Sequence, residues 1–171
     1  YLRYANVENM MSVKVGDETG TINVRIPEGS TLRETAQALE RAGVCSMKDV
    51  FDAANSNAFD SYSFIASIPN ADSRYYKLEG YLYPDTYNFW KGQNVQSVLK
   101  TMLNNYQTKT ANINWQNTAG LTKERVMTLA SIVQRESTAT DRANVASVFV
   151  NRLKSGNTVN VYRLQADSTM Y

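Results

Sequence analysis

Glu136 is the side chain whose type and position point most directly to chemistry. It lies three residues after Val133 and seven after Leu129, so it prolongs the apolar stripe of a helix. The expectation is a carboxyl half-sheltered from water at a helix C-terminal end. Burial strips water from the charged form, and the helix dipole disfavours negative charge at that end. Both effects favour a carboxyl that keeps its proton near neutral pH, as a general acid must. A second reading stays open: Arg135 and Arg142 are near in sequence, and a glutamate at a helix end also forms surface ion pairs.

Several chemistries are excluded by composition. The 171 residues contain no His, which removes Ser-His-Asp and Cys-His catalysis and every His-ligated zinc site. The single cysteine, Cys45, forms no internal disulfide, and its flanks carry no local base, so it reads as a buried, inert thiol. Neither a metal nor a cofactor is called for. A net charge of +2 is too even for a protein held by nucleic-acid phosphates. The apolar run from Val145 to Val150 is far short of the roughly 20 residues a membrane span needs. The start at Tyr1 and the stop at Tyr171 read as a piece of a longer chain, with room for an anchor beyond either end.

Other polar groups could gather around Glu136. Ser137 is adjacent, Asn151 and Arg152 sit on the following helix, and Gln165, Asp167, Ser168 and Thr169 form a polar run. The link from Ser137 to Asp141 is short, so the two helices are expected to pack antiparallel, with Asn151 far from the Ser137 end. A loop-like stretch from Leu78 to Tyr87 holds Glu79, Tyr81, Tyr83 and Asp85 around Pro84. Its aromatic rings either plug the core or line a groove, where they would stack on sugars. Glu79 either meets substrate or pairs with Arg74 or Lys77. Asp85 either meets substrate or caps a turn, and Asn151 has a similar backbone-satisfying alternative.

The elements that must carry these residues are legible. Ile22, Val24 and Ile26 alternate with Asn23 and Arg25 as a half-buried strand does, with Val13 and Val15 as partner and Gly16 to Gly20 as turn. Thr31 and Glu34 have capping-box spacing, Leu32, Ala36 and Leu39 share a helical face, and Gly43 is a natural stop. Met47, Val50, Phe51 and Ala54 give a second helix, so roughly the first 60 residues form a small α+β unit. Three helices follow the irregular middle. They carry Val95 to Tyr106, then Val126, Leu129 and Val133 from a start near Thr122, then Val145 to Leu153 from a start near Asp141. Ser155-Gly156-Asn157 is expected to end the last one.

Five segments, in order, carry a resemblance. They are Ile26-Pro27-Glu28-Gly29-Ser30-Thr31-Leu32, the stretch from Leu78 to Tyr87, Ala130 to Ser137 with Gln134-Arg135-Glu136-Ser137 at its end, Val145 to Leu153, and Arg163 to Thr169. Together they resemble the endolytic murein transglycosylases of the MltG (YceG-like) family. The stretch from Leu78 to Tyr87 is similar to that family's EGxxxPDTY segment. Two positions depart from its pattern: Gln134 stands where most relatives have Glu, and Ser168 where they have Pro.

The resemblance implies an α+β fold, with a small LysM-like α/β subdomain over residues 1–60. A mainly helical, lysozyme-like catalytic subdomain would follow over 61–171, continuing beyond Tyr171 in the family. It implies Glu136 as catalytic acid and base, and Glu79, Tyr83, Asp85, Asn151, Gln165 and Asp167 as substrate-binding candidates. The implied substrate is peptidoglycan, cut within the strand at the MurNAc–GlcNAc bond to leave 1,6-anhydro-MurNAc ends, with no cofactor. It also implies work beside peptidoglycan synthases at the extracytoplasmic face of the bacterial membrane, held by one N-terminal helix outside this sequence. Two other functions remain: a muramidase with Asp85 or Asp167 as second carboxylate, and a silent glycan-binding scaffold.

Overall fold

The computed structural model describes residues 14–15, 20–69, 71–115, 120–154 and 166. The fold is α+β, and the chain forms two compact units, Tyr1–Asn112 and Ile113–Tyr171. The expected division after residue 60 is not where these units part. Strand and helix pairings described next tie residues 61–112 into the first unit.

In the first unit, β1 (Lys14–Val15), β2 (Thr21–Arg25) and β3 (Thr86–Trp90) make an antiparallel sheet in the order β1-β2-β3. The hairpin partner expected for β2 is therefore present, and its turn residues 16–19 lie outside the described residues. β3 is the strand the sequence pattern hid. Its register sets Ile22 opposite Phe89 and Val24 opposite Tyr87. Alternation then puts all four on one face, where they are buried, and the Tyr87 and Phe89 rings stack at 5.5 Å.

Two helices join β2 to β3: α1 (Leu32–Arg41) and α2 (Met47–Ala54). The Thr31 hydroxyl accepts the Glu34 N–H at 3.2 Å, and the Glu34 carboxylate accepts the Thr31 N–H at 2.8 Å, so the expected capping box forms. At the other end Gly43 takes φ +72°, a conformation that costs glycine little. The Gly43 and Val44 N–H groups then bond back to the Glu40 and Leu39 carbonyls, and Val44 is buried beside them. Leu32, Ala36 and Leu39 are buried as their spacing requires.

The middle stretch is less irregular than its composition suggests. It contains a short helix, α3 (Ser63–Ala66), and single 3-10 turns at Asn57–Phe59 and Ala71–Ser73. The buried ammonium of Lys77 bonds to Asp60 and, at 3.2 Å, to Asn57, holding the chain in place. α4 (Val95–Thr110) packs on α2 and buries Val98, Leu99, Met102, Leu103 and Tyr106. Phe64, Tyr81 and Tyr106 form an aromatic core, with ring centroids 5.0–5.9 Å apart. Burying each ring removes apolar surface from water, about 1.5–3 kcal/mol per large side chain.

In the second unit α5 (Lys123–Glu136) packs on α6 (Arg142–Lys154). Leu129, Val133, Phe149 and Ala166 form its buried cluster, with Ile132, Val145, Ala146 and Val150 packed around them. The expected stop of α6 at Ser155-Gly156-Asn157 lies outside the described residues.

Candidate functional site

Glu136 is the last residue of α5. The helix starts as its sequence dictates, with the Thr122 hydroxyl accepting the Arg125 N–H at 3.4 Å. It ends where Ser137 turns extended, at φ −129° and ψ 157°, and the Ser137 hydroxyl donates to the Val133 carbonyl. That bond satisfies one of the carbonyls a helix end leaves over. The expectation of a half-sheltered carboxyl is not met, since Glu136 is exposed. Leu129 and Val133 are the buried members of the stripe, and the chain leaves the helix one turn later, so Glu136 clears the packed cluster.

Gln134 and Asn151 are also exposed, on α5 and α6. Gln165 and Asp167 lie outside the described residues, but Ala166 between them is 2% exposed. Ala166 shares its cluster with Val133, the residue one turn before Glu136.

The stretch from Leu78 to Tyr87 belongs to the first unit, and two of its three candidates serve the fold. Glu79 accepts the Leu32 N–H through both carboxylate oxygens, at 3.0 and 3.2 Å, closing the start of α1. That contact is neither of the two roles the sequence offered. Asp85 does cap its turn, accepting the Thr86 N–H at 2.8 Å, and its other oxygen accepts from Asn105 of α4 at 2.9 Å. These two bonds, Asn105 first, lower the Asp85 pKa below the ordinary aspartate value. The Asp85 carbonyl also accepts the Ile26 N–H at 2.9 Å. Tyr83 lends its carbonyl to the Tyr87 hydroxyl at 2.6 Å, while its own side chain stays half-buried. Asn105 completes the set by donating to the Tyr87 hydroxyl at 3.0 Å.

Asn105 is the residue the sequence reading passed over. It stands three positions after Met102, at the rim of the buried stripe of α4, and a polar side chain there is the available signal. Of the tyrosines, Tyr81 and Tyr87 are buried in the core, as the core-plugging reading has it, whereas Tyr75 is largely exposed. An open groove of about 650 Å³ lies among Glu40, Cys45, Asp49, Gln93 and Asn94, and none of the candidate residues lines it. Burial is the main reason the Cys45 thiol is pushed up to about 11, with Asp49 and Glu40 adding to it. Among the described residues no cluster of three or more His, Cys, Asp or Glu could hold a metal ion. No helix among them is long and apolar enough to cross a membrane.

The arrangement offers one exposed carboxyl at a helix end for proton transfer, and a loop whose acidic groups are committed to holding its shape. A model of the YceG-like family matches residues 3–171. Two curated proteins named endolytic murein transglycosylase, from Streptococcus pneumoniae strains D39 and R6, are each 33% identical over 147 residues. The match covers 75% of this chain and 26% of each relative, so the chain spans about a quarter of their length. The crystal structure of a yceG-like protein from Listeria monocytogenes superposes with a TM-score of 0.60 at 26% identity. It covers 82% of this chain and 49% of that one.

Proposed function

The chain belongs to the YceG-like family, and from that premise we propose that it serves as an endolytic murein transglycosylase. The observation that carries the reading is the pair of relatives bearing that name, matched over three quarters of this chain. The proposed reaction cleaves the MurNAc–GlcNAc bond inside a peptidoglycan strand and leaves a 1,6-anhydro-MurNAc end.

Glu136 is the proposed acid and base. Its carboxyl proton passes to the glycosidic oxygen as the C1–O bond breaks, leaving an oxocarbenium-like carbon. The resulting carboxylate then takes the proton of the muramyl C6 hydroxyl, whose oxygen bonds to C1. One proton leaves Glu136 and one returns, so a single carboxyl suffices where hydrolases commonly use two. Exposure in the free protein fits a group that acts only when a glycan covers it, because bound sugar strips its water and strengthens local electrostatics. Gln165 and Asp167 are proposed as further sugar contacts on the family resemblance. Asn151 is a further proposed sugar contact; in the first unit Tyr83 is proposed to bind sugar on the resemblance, with Glu79 and Asp85 positioning its loop.

The finer architecture follows the same proposal. The β2-α1-α2-β3 unit is the LysM-like part, and α5 with α6 begins the lysozyme-like part. The whole protein is held at the extracytoplasmic face by an N-terminal membrane helix and works beside peptidoglycan synthases in wall biogenesis. The test is to incubate purified glycan strands with the chain and with Glu136→Gln. Cleavage by the parent and none by the variant supports the proposal, whereas equal cleavage removes Glu136 from the chemistry.

A further inference from the structure

Two arginines of the second unit flank Glu136 in the chain. Arg135 precedes it in the last turn of α5, and Arg142 opens α6 after the short link 137–141. Both are exposed. Neither guanidinium makes an ion pair, a hydrogen bond or a ring contact among the described residues, so the pair with Glu136 that nearness in sequence allows is made by neither. Asp141, the acid next to Arg142, accepts from the Asn144 amide at 3.2 Å instead. Arg142 also stands against the local field, because the first residue of a helix faces the positive end of its dipole. α1, α2 and α5 each carry an acidic residue in the first turn, whereas α6 has none. The described packing therefore gives no reason for a cation at Arg142.

We infer that Arg142, with Arg135, binds a carboxylate of the murein strand beside the bond that Glu136 is proposed to break, so that the reaction favours acidic strands over neutralised ones. The muramyl ring that reacts at C1 carries a lactyl group on its C3 oxygen. That group is a free carboxylate in a peptide-free strand, and otherwise it is extended by a peptide with carboxylates of its own. A guanidinium meets a carboxylate with two parallel N–H bonds, which fixes orientation as well as adding energy. Because neither arginine is engaged, no internal ion pair has to be broken before substrate binds. An acid held on the reacting sugar keeps its ring from turning away from Glu136. The inference rests on the murein reading and on Glu136 as the acid.

The test is cleavage of purified murein strands by the whole protein, read as kcat and KM. Strands are offered with their peptides and after peptide removal, each with its carboxylates free or converted to amides. The parent is expected to show a KM about tenfold lower for free than for amidated strands, with kcat little changed. The double variant Arg135→Gln/Arg142→Gln should lose that preference through a raised KM for free strands. Arg142→Lys, which keeps the charge, should retain part of it, and Arg125→Gln, near the other end of α5, should retain all of it. Preference on peptide-free strands assigns the lactyl carboxylate, and preference on peptide-bearing strands alone assigns the peptide. A parent that cuts free and amidated strands alike, or a double variant that keeps the parental preference, overturns the inference while the murein reading stands. A parent that cuts no strand removes both.

Discussion

The carboxylate of Glu79 closes the N-terminus of α1 from 47 residues away, with both oxygens on the Leu32 N–H at 3.0 and 3.2 Å. A helix start leaves N–H groups without intrahelical partners and carries partial positive charge. Glu79 answers both needs, so the fold gives it a structural task at this place in the loop segment.

Glu79→Ala is therefore expected to destabilise the chain by about 1 kcal/mol, the usual scale for losing a cap. Glu79→Gln keeps an oxygen acceptor and should lose only the charge–dipole part, about 0.3–1 kcal/mol. Chemical denaturation of both variants checks the order. A destabilisation by Glu79→Gln as large as that by Glu79→Ala would contradict it.

Asp85 gives a pH prediction. Its folded pKa is lowered, chiefly by the Asn105 amide and then by the Thr86 N–H. Between the lowered folded value and the ordinary aspartate value the unfolded state binds the proton more readily than the folded state, so the Asp85 contribution to stability rises with pH across that range. The Asp85 contribution is complete above the ordinary aspartate value of about 3.9 and is lost as pH falls through the lowered folded value. Asn105→Ala removes the largest cause and should move the Asp85 titration midpoint up, as followed by carboxyl-carbon NMR. An unmoved midpoint would contradict the assigned cause.

Local patterns were legible wherever a single element decides the outcome. Thr31 and Glu34 form their capping box, and Thr122 caps α5 as its place before the apolar stripe suggests. β3 escaped because Thr86 to Trp90 is a short alternation directly after Pro84-Asp85, and only pairing with β2 makes it a strand. The same long-range pairing moves the boundary of the first unit to Asn112. Glu136 sits at a stripe position, but stripe spacing does not report where the neighbouring cluster stops. Packing ends at Val133, and the carboxyl is exposed. The donors to Glu79 and Asp85 were equally hidden, since Leu32 and Asn105 are distant in sequence.

Cys45 supplies a reactivity prediction. Burial pushes its thiol up to about 11, with Asp49 and Glu40 reinforcing the shift. Only the thiolate reacts, and at pH 8 it amounts to about one part in a thousand. Native protein should react with a disulfide reagent at least about tenfold more slowly than the denatured chain, whose thiol has a pKa of about 8.5. Equal rates in the two states would contradict the shift.

The proposed single-carboxyl chemistry is tested most directly by digesting purified peptidoglycan in heavy-oxygen water and weighing the new muramyl ends. Attack by the C6 hydroxyl predicts 1,6-anhydro ends that carry no solvent oxygen, and their absence in Glu136→Gln. Reducing ends that carry one heavy oxygen would mean that water attacks C1, and would contradict the account.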